Sequence, residues 1–360
     1  MKTYKLFTPG PIDVPLDVLK KTARPMIYHR EEQFKKLMDD ISAMLKKIIK
    51  TKGRLYFLTS SGTGAMEAAC SNILSTADHP VVTVCGKFGE RWVDLCRSYR
   101  VQADIIQVPF GKAVKPEAVE QAVKRLGKPT VIFTTLAETS TGVLSDIKAL
   151  GEIAKRYDSY LVVDGVAGVG ADHCPQDGWN VDVMIGASQK ALMAPPGIAF
   201  ISLSERAFEK CRMSDLPRYY FDLRKYEKFM EKGQTPWTPA ITVLYGLQAG
   251  LARIISEGIE HNFNRHKKIA RFVRGRIQDM GFEIFPETPS SALSVMKMPA
   301  NMDSTPIIGD IKENHYILFS NGQAEMKGKI LRIGHMGNYT IAKMKNVLNI
   351  LEKTISKWRE

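Results

Sequence analysis

The sequence has little cysteine and no long apolar run. Its cysteines are odd in number and no two have the C-x-x-C spacing; they are Cys70, Cys85, Cys96, Cys174 and Cys211. This pattern argues against a disulfide framework and a zinc site, so we expect no metal and expect the cysteines to be buried, small hydrophobic side chains. No apolar run reaches the ~18 residues that cross a bilayer, and the N-terminus lacks a signal-peptide pattern. We therefore expect a cytoplasmic protein without a membrane partner.

Acidic residues are too few to balance the basic ones. With 38 Asp and Glu against 51 Lys and Arg, the formal charge is +13, which raises the question of a nucleic-acid partner. The densest basic segment, Arg265–Arg276, places Ile269, Phe272 and Val273 on one helical stripe, so its basic side chains are expected on the solvated face of a helix. No DNA- or RNA-binding motif accompanies it, and we predict no nucleic-acid partner.

Strand-like and helix-like segments alternate over the first two hundred residues. The helical period of "EQFKKLMDDISAMLKKIIK" is followed by the strand pattern "RLYFLTS", the helix "GAMEAACSNIL" and the strand "PVVTVCG", and the alternation continues to "GIAFISLS". Such alternation predicts parallel βαβ units, and hence an α/β fold with a large, doubly wound, mostly parallel sheet. Ligands of such sheets bind at the carboxyl ends of the strands.

The pattern becomes less regular after about Ser204. A long connecting helix is predicted from Pro239 onward, followed by short strands and a last helix at Ala342–Lys357. We predict an N-terminal segment at 1–14, a large domain at 15–245 and a smaller C-terminal α+β domain at 246–360.

Two strand-end loops carry residues suited to a phosphate and to a ligand with polar edges. In "TSSGTGAMEA", Ser61, Gly62 and Thr63 lie where a helix begins, so backbone N–H groups and hydroxyls could cradle a phosphate. The alternative is a structural helix cap. In "LAETSTGVLSD", the side chains of Glu138 and Thr139 could form hydrogen bonds to a ligand.

Two further loops carry a carboxylate and an amine. Asp164 ends the apolar strand in "VVDGVAGVG", whose glycine spacing does not fit a dinucleotide fingerprint; a turn or cap carboxylate is the alternative. Lys190 lies among small and apolar residues in "IGASQKALMAPPGIAF", and an apolar pocket favours the neutral, nucleophilic amine. A phosphate cradle, a lysine that condenses with an aldehyde and a carboxylate for a ring nitrogen together suggest pyridoxal phosphate.

The chain resembles the class V aminotransferases of pyridoxal-phosphate fold type I, in the alanine–glyoxylate / serine–pyruvate branch. The motifs that carry the resemblance are "FTPGP", "SSGTGAME", "GKFGER", "ETSTGV", "VVDGVAGVG", "GASQKALMAPPG", "TPWTPA" and "LRIGHMG". The resemblance implies a ping-pong transaminase. Its amino donor would be a small L-amino acid (alanine, serine or aspartate) and its acceptor a 2-oxo acid (glyoxylate or pyruvate).

The resemblance also implies roles for residues that bind the cofactor. Lys190 would carry it as a Schiff base and Asp164 would face its ring nitrogen. The other cofactor contacts would be Ser61, Gly62, Thr63, Phe88 (stacked on the ring), Thr139, Val166 and Gln189. In the family, the segment "QTPWTPA" reaches the phosphate from the neighbouring subunit, so Thr235 and Thr238 imply a homodimer with shared active sites; some relatives have Tyr in place of Thr235.

On the substrate side, Arg332 resembles the arginine that clamps the α-carboxylate. Segment 1–14, with Pro9 and Gly10, would close over the substrate together with "MIYHR". Tyr28 departs from relatives that have a small residue there. His29 and Arg30 would either meet a second carboxylate or have a packing or loop-fixing role.

Other functions share parts of this pattern. A 2-aminoethylphosphonate transaminase has the same motifs. A cysteine desulfurase-like lyase needs a mobile cysteine late in the chain, where this sequence has none. A non-catalytic member of the fold would have lost Lys190 or Asp164, and both are present.

Overall fold

The computed structural model describes residues 3–358. The predicted N-terminal segment (1–14) and C-terminal domain (246–360) include residues 1–2 and 359–360, which lie outside the described residues. The strands are β1 (Lys5–Leu6), β2 (Arg54–Thr59), β3 (Val81–Val84), β4 (Asp104–Gln107), β5 (Val131–Thr135), β6 (Ala137–Glu138), β7 (Val143–Leu144), β8 (Tyr160–Asp164), β9 (Val183–Ala187), β10 (Ile198–Leu203), β11 (Glu283–Ile284), β12 (Leu293–Lys297), β13 (Ile317–Leu318), β14 (Ser320–Asn321) and β15 (Ile330–Gly334).

The helices cover both faces of the sheets. They are α1 (Leu16–Thr22), α2 (Glu32–Ile49), α3 (Gly62–Ile73), α4 (Lys87–Ser98), α5 (Pro116–Leu126), α6 (Ile147–Arg156), α7 (Glu205–Met213), α8 (Leu223–Met230), α9 (Ile241–Glu257), α10 (Ile259–Asp279), α11 (Ser304–His315) and α12 (Ile341–Lys357). Short 3-10 turns lie at Asp177–Trp179 and Ala324–Met326.

The large sheet has the strand order β2-β10-β9-β8-β5-β3-β4. All of its strands run in one direction except β10, which is antiparallel to both β2 and β9. The central strands β3, β5, β8 and β9 are buried at every position except Tyr160, the partly exposed first residue of β8, as expected for a parallel sheet covered by helices on both faces. The predicted α/β fold with a large, mostly parallel sheet is thus confirmed, and the ends of β2, β5, β8 and β9 meet at one edge.

The smaller C-terminal part is built on an antiparallel sheet with the order β11-β12-β15-β14. Helices α10, α11 and α12 contribute to an apolar core with this sheet, which includes Ile277, Ile307, Leu331 and Leu348. Phe7 from the N-terminal segment belongs to the same core. That segment is therefore anchored on the smaller part before it crosses to the large sheet.

The predicted single long connecting helix is wrong: it is two helices, α9 and α10. Gly258 lies between them with φ 89° and ψ 126°, a left-handed conformation that glycine adopts easily and that ends a helix. The buried side chains of α9 belong to the core of the large sheet, whereas those of α10 near Ile269 belong to the smaller core. The boundary predicted after residue 245 falls inside α9, and the division into domains stays a prediction.

The basic segment and the cysteines have ordinary environments. The segment lies within α10, where Ile269, Val273 and Ile277 are buried as the stripe predicts and Lys267 and Lys268 are exposed. All five cysteines are buried, which confirms the prediction.

Within residues 3–358, no helix has the length and apolar character to cross a membrane. The cytoplasmic location stays a prediction.

Candidate active site

A cavity of about 170 Å³ opens at the carboxyl edge of the large sheet. The loops that follow β2, β3, β5, β8 and β9 surround it, together with the N-terminal segment. The predicted site residues that line it are Gly10, Ser61, Gly62, Thr63, Phe88, Thr139, Asp164, Val166, Gln189 and Lys190. The structure therefore brings together residues from five distant strand-end loops, as the parallel topology predicts.

Lys190 lies in a tight turn directly after β9. The turn is closed by hydrogen bonds from the Met193 amide to the Lys190 carbonyl (3.0 Å) and from the Ala194 amide to the Ser188 carbonyl (3.0 Å). The Lys190 side chain is only 8% exposed, and its Nζ donates to the carbonyl of Pro9 at 2.6 Å. Burial lowers the pKa of this amine to about 8, although the charge of Asp164 acts in the opposite direction. A larger fraction of this amine than of an ordinary lysine is therefore in the neutral form that acts as a nucleophile and base.

Asp164 is the last residue of β8 and faces the same cavity. Burial raises the pKa of its carboxyl group to about 6, while the hydrogen bond that Oδ1 accepts from the Val166 amide (2.9 Å) and the charge of Lys190 lower it. A cationic group bound beside Asp164 would lower the pKa further. The site thus contains a buried carboxylate suited to a protonated ring nitrogen.

The first turn of α3 presents its backbone to the cavity. Ser61 precedes the helix and makes no capping hydrogen bond with its side chain, so the amides of Gly62 and Thr63 stay available. Gln189 also lines the cavity, and its Oε1 is shielded from solvent without a partner among the described residues. Its amide could turn its NH₂ toward an anion. Uncapped helix amides beside an unsatisfied amide suit a bound phosphate.

Glu138 has a different role from the ligand contact that its loop position predicts. It is fully buried, and its Oε2 accepts from the amides of Phe88 (3.0 Å) and Gly89 (3.1 Å). Its Oε1 accepts from the Ser140 amide (3.1 Å) and hydroxyl (2.5 Å). Both oxygens are thus occupied by donors of the protein. Glu138 fixes the start of α4, and with it Phe88, against the loop that carries Thr139.

Arg332 lies on β15 of the smaller sheet and does not line the cavity itself, but it contacts the loop of Thr139, which does. Its Nε donates to the Asn321 carbonyl and its Nη1 to the Thr139 carbonyl, both at 2.8 Å. Burial lowers the pKa of this guanidinium to about 10 while Glu138 raises it, so the group stays charged at neutral pH. Nη2 has no partner within residues 3–358. A carboxylate bound beside Thr139 could therefore pair with it.

Arg91 lines the cavity, and sequence reasoning missed it. It lies on α4 three residues after Phe88, and the i, i+3 spacing puts both side chains on one helical face. That spacing within the "GKFGER" motif is the sequence signal that could have placed Arg91 at the cavity beside Phe88. Met66, Ala137 and Ala167 also line the cavity and supply apolar surface.

Seven predicted site residues do not line this cavity. Pro9 and Arg332 contact residues that do line it, whereas the other five do not: Tyr28, His29, Arg30, Thr235 and Thr238. Arg30 instead donates from Nη1 to Gln234 Oε1 (3.0 Å) and to the Thr235 carbonyl (2.9 Å). Tyr28 is 60% exposed, and Thr238 is also exposed. Arg30 thus ties the segment that carries Tyr28 to the loop that carries both threonines, outside the cavity of the same chain.

Comparisons with known proteins agree with this geometry. The family model described as aminotransferase class-V matches residues 17–308. The chain is 36% identical to an uncharacterised aminotransferase of Methanocaldococcus jannaschii, with 92% of this chain and 87% of the relative covered. It is 32% identical to the L-aspartate–glyoxylate aminotransferase of Paracoccus denitrificans, with 94% and 87% covered. Among solved structures, the alanine–glyoxylate aminotransferase from Nostoc sp. has a TM-score of 0.95 at 27% identity, with 99% and 96% covered.

Proposed function

Because the chain belongs to the class V aminotransferase family and is a transaminase, we propose that it moves the amino group of a small L-amino acid to glyoxylate or pyruvate. The observation that carries this proposal is the buried amine of Lys190 in one cavity with the buried carboxyl group of Asp164. A lysine and an aspartate with purely structural roles would have no reason to face the same cavity.

The residues of the cavity fit pyridoxal phosphate. We propose that Lys190 holds it covalently, that Asp164 faces its ring nitrogen, and that the amides of Gly62 and Thr63 hold its phosphate. Gln189 would add to the phosphate contacts, and the remaining ring contacts would come from Phe88, Val166 and Thr139. When bound, this cofactor supplies an electron sink for negative charge at the substrate Cα. Lys190 is then the base that takes the Cα proton, since its amine has a pKa of about 8.

Glyoxylate is supported as the acceptor because two of the similar enzymes are named for it. For the donor, Arg332 would pair with the α-carboxylate shared by alanine, serine and aspartate. Aspartate needs a second cation, and the guanidinium of Arg30 already contacts Gln234, Thr235 and the ring of Phe229. We therefore expect alanine and serine to be better donors than aspartate.

Single half-reactions test this assignment. The purified enzyme with its cofactor is mixed with one amino acid at a time, and the loss of the cofactor absorbance band is followed. Alanine and serine should remove the band at least about tenfold faster than aspartate. A faster reaction with aspartate would contradict this order and support a second-carboxylate role for His29 and Arg30. No reaction with any amino acid would contradict transamination itself.

The two alternative reactions have no support of their own in the structure. A cysteine desulfurase needs a thiol at the substrate, and within residues 3–358 every cysteine is buried and none lines the cavity. No observation favours a phosphonate donor over the α-amino acids whose carboxylate Arg332 would bind.

Replacing Gly10 by alanine should reduce kcat by about 10²-fold. Gly10 has φ +125°, and a Cβ there would lie 2.5 Å from Lys190 Nζ, so the amine must move. Gly127→Ala is the matched control, since Gly127 also has a positive φ (+65°) but no atom within 4 Å of an added Cβ. That control should lose stability and keep its kcat. A Gly10→Ala enzyme with normal kcat would show that the amine does not need this position.

We further propose a homodimer in which each subunit completes the other's site. Thr238 and Tyr28 are exposed and lie outside the cavity of their own chain, although the family resemblance assigns both to an active site. Tyr219 and Tyr220, 70% and 40% exposed, form an aromatic surface with Trp237 next to this loop. Exposed aromatic surface of this kind is typical of protein interfaces.

A mixture of two inactive variants should regain activity if the sites are shared. Thr238→Glu would place a negative charge at the neighbour's phosphate site, and Lys190→Ala removes the amine. A hybrid dimer then has one site with neither change, so random pairing should restore about a quarter of wild-type activity. Mixing Lys190→Ala with Asp164→Asn is the control, because these residues line one cavity and no hybrid site is intact. No recovery in the first mixture would contradict shared sites.

A further inference from the structure

Arg91 contacts both an aromatic ring and the first turn of α3. Its Nη1 donates to the hydroxyl of Thr63 at 2.9 Å. Its guanidinium carbon lies 4.6 Å from the centre of the Phe88 ring. The guanidinium is therefore placed beside the uncapped helix amides that face the cavity.

Among the described residues, Arg91 has no acidic partner, whereas two other basic residues of the same helix do. On the same helix, Lys87 pairs with Glu90, and Arg97 pairs with Asp94. Within residues 3–358, Arg91 has no carboxylate at salt-bridge distance, and its hydrogen bond to Thr63 is to a neutral hydroxyl. A cation that lines a cavity without an acidic partner is suited to an anionic ligand.

The cradle itself needs a cation. A phosphate group carries a charge of about −1.5 to −2 at neutral pH, whereas a helix N-terminus offers only about half a positive charge. The cradle residues of this chain, Ser61, Gly62, Thr63 and Gln189, are all neutral. Lys190 and Arg332, the other cations near the cavity, are assigned to the reacting amine and to the substrate carboxylate.

We propose that Arg91 binds the cofactor phosphate, as the cationic side chain of the cradle at the start of α3. This inference rests on the proposed function, because it places pyridoxal phosphate in the same cavity. Arginine suits the position because its planar fork can keep the contact with Thr63 and still offer N–H donors to phosphate oxygens. Its stacking on Phe88 limits the side-chain freedom that binding would otherwise cost.

The test compares the cofactor with the same ring that lacks a phosphate. Wild-type enzyme, Arg91→Gln and Arg91→Lys are stripped of cofactor and titrated with pyridoxal phosphate and, separately, with pyridoxal. Arg91→Gln should raise the Kd of pyridoxal phosphate by about ten- to a hundredfold. It should change the Kd of pyridoxal by less than about threefold, the loss expected from the ring contact alone. Arg91→Lys, which keeps the charge, should lie between the wild type and Arg91→Gln.

The controls separate this inference from the proposed function. Arg97→Gln changes an exposed arginine of the same helix and should leave both Kd values as in the wild type. If the wild type binds neither ligand, the cofactor pocket itself is wrong. If the wild type binds pyridoxal phosphate but Arg91→Gln raises the Kd values of pyridoxal phosphate and pyridoxal by the same factor, Arg91 acts through Phe88 and the inference is overturned. Unchanged Kd values for pyridoxal phosphate, or equal losses in Arg91→Lys and Arg91→Gln, would overturn it too.

Discussion

Replacing Lys190 by alanine should lower turnover by about 10⁴-fold or more, because the variant would lose both the proposed covalent attachment of the cofactor and the proposed base. The purified variant should also lack the absorbance band of cofactor bound to the wild-type lysine. The turn that holds Lys190 depends on backbone hydrogen bonds, so removing the side chain leaves it intact. Folding should therefore be normal by circular dichroism.

The matched control is Lys155→Ala, which removes an exposed lysine on α6. Its turnover and absorbance should equal those of the wild type. An added primary amine, such as methylamine, should restore part of the activity of Lys190→Ala, because a free amine can take over the proton transfer. A Lys190→Ala enzyme with full activity would end the transaminase mechanism proposed for this cavity.

The large sheet and the reactive residues are predictable from the sequence for related reasons. Each buried parallel strand is a short apolar run bounded by turn residues, so the alternation with helical segments stands out. Polar residues directly after such runs, Asp164 and Lys190, must then lie at the carboxyl edge. Parallel topology brings all such positions together whatever their distance along the chain.

The structure departs from the sequence-based expectation at two places. At one, a single backbone angle ends a helix; at the other, hydrogen bonds to a distant segment determine the role of a side chain. The helical period continues across Gly258, and only its φ of 89° separates α9 from α10. Glu138 lies in a polar loop and reads as a ligand contact. Its partners, the amides of Phe88 and Gly89, come from a different strand-end loop, and no local pattern reveals that pairing.

Residues that the resemblance assigns to a site shared between two subunits are a separate case. Arg30 and Thr235 carry motif positions of an active site, yet within one chain they contact each other outside the cavity. For Thr235 the resemblance already implied a contact with the neighbouring subunit, whereas for Arg30 it left a substrate contact and a loop-fixing role open. The family resemblance assigns these residues correctly only if a neighbouring subunit is present, which is what the mixing experiment measures.

Replacing Asp164 by asparagine should have opposite effects on catalysis and on the stability of the cofactor-free enzyme. Asparagine keeps an oxygen for the Val166 amide. It cannot carry the negative charge that we propose faces the ring nitrogen of the cofactor. Loss of one partner of a buried charged pair costs about 3–5 kcal/mol, so kcat should fall by about 10²- to 10⁴-fold. Asp164→Glu keeps the charge and should retain more activity than Asp164→Asn.

The stability effect follows from the pKa of about 6, raised by burial from the ordinary value of 3.8. The folded chain holds this proton up to a higher pH than the unfolded chain. The contribution of Asp164 to stability is therefore greatest below about pH 3.8 and is lost as the pH rises to 6, by about 3 kcal/mol in all. Asparagine mimics the protonated form. The stripped Asp164→Asn protein should be about 3 kcal/mol more stable than stripped wild type at pH 7.5, and the difference should nearly vanish near pH 4.

Thermal or urea unfolding of the stripped proteins at both pH values measures this difference. Asp40→Asn is the control, because Asp40 is exposed and asparagine can still accept from Gln248; its unfolding midpoint should not change. Equal stability of stripped wild type and Asp164→Asn at pH 7.5 would mean that the buried carboxylate costs nothing without its ligand. A variant that is more stable but inactive would show that the charge of Asp164 lowers the stability of the cofactor-free protein and is needed for catalysis.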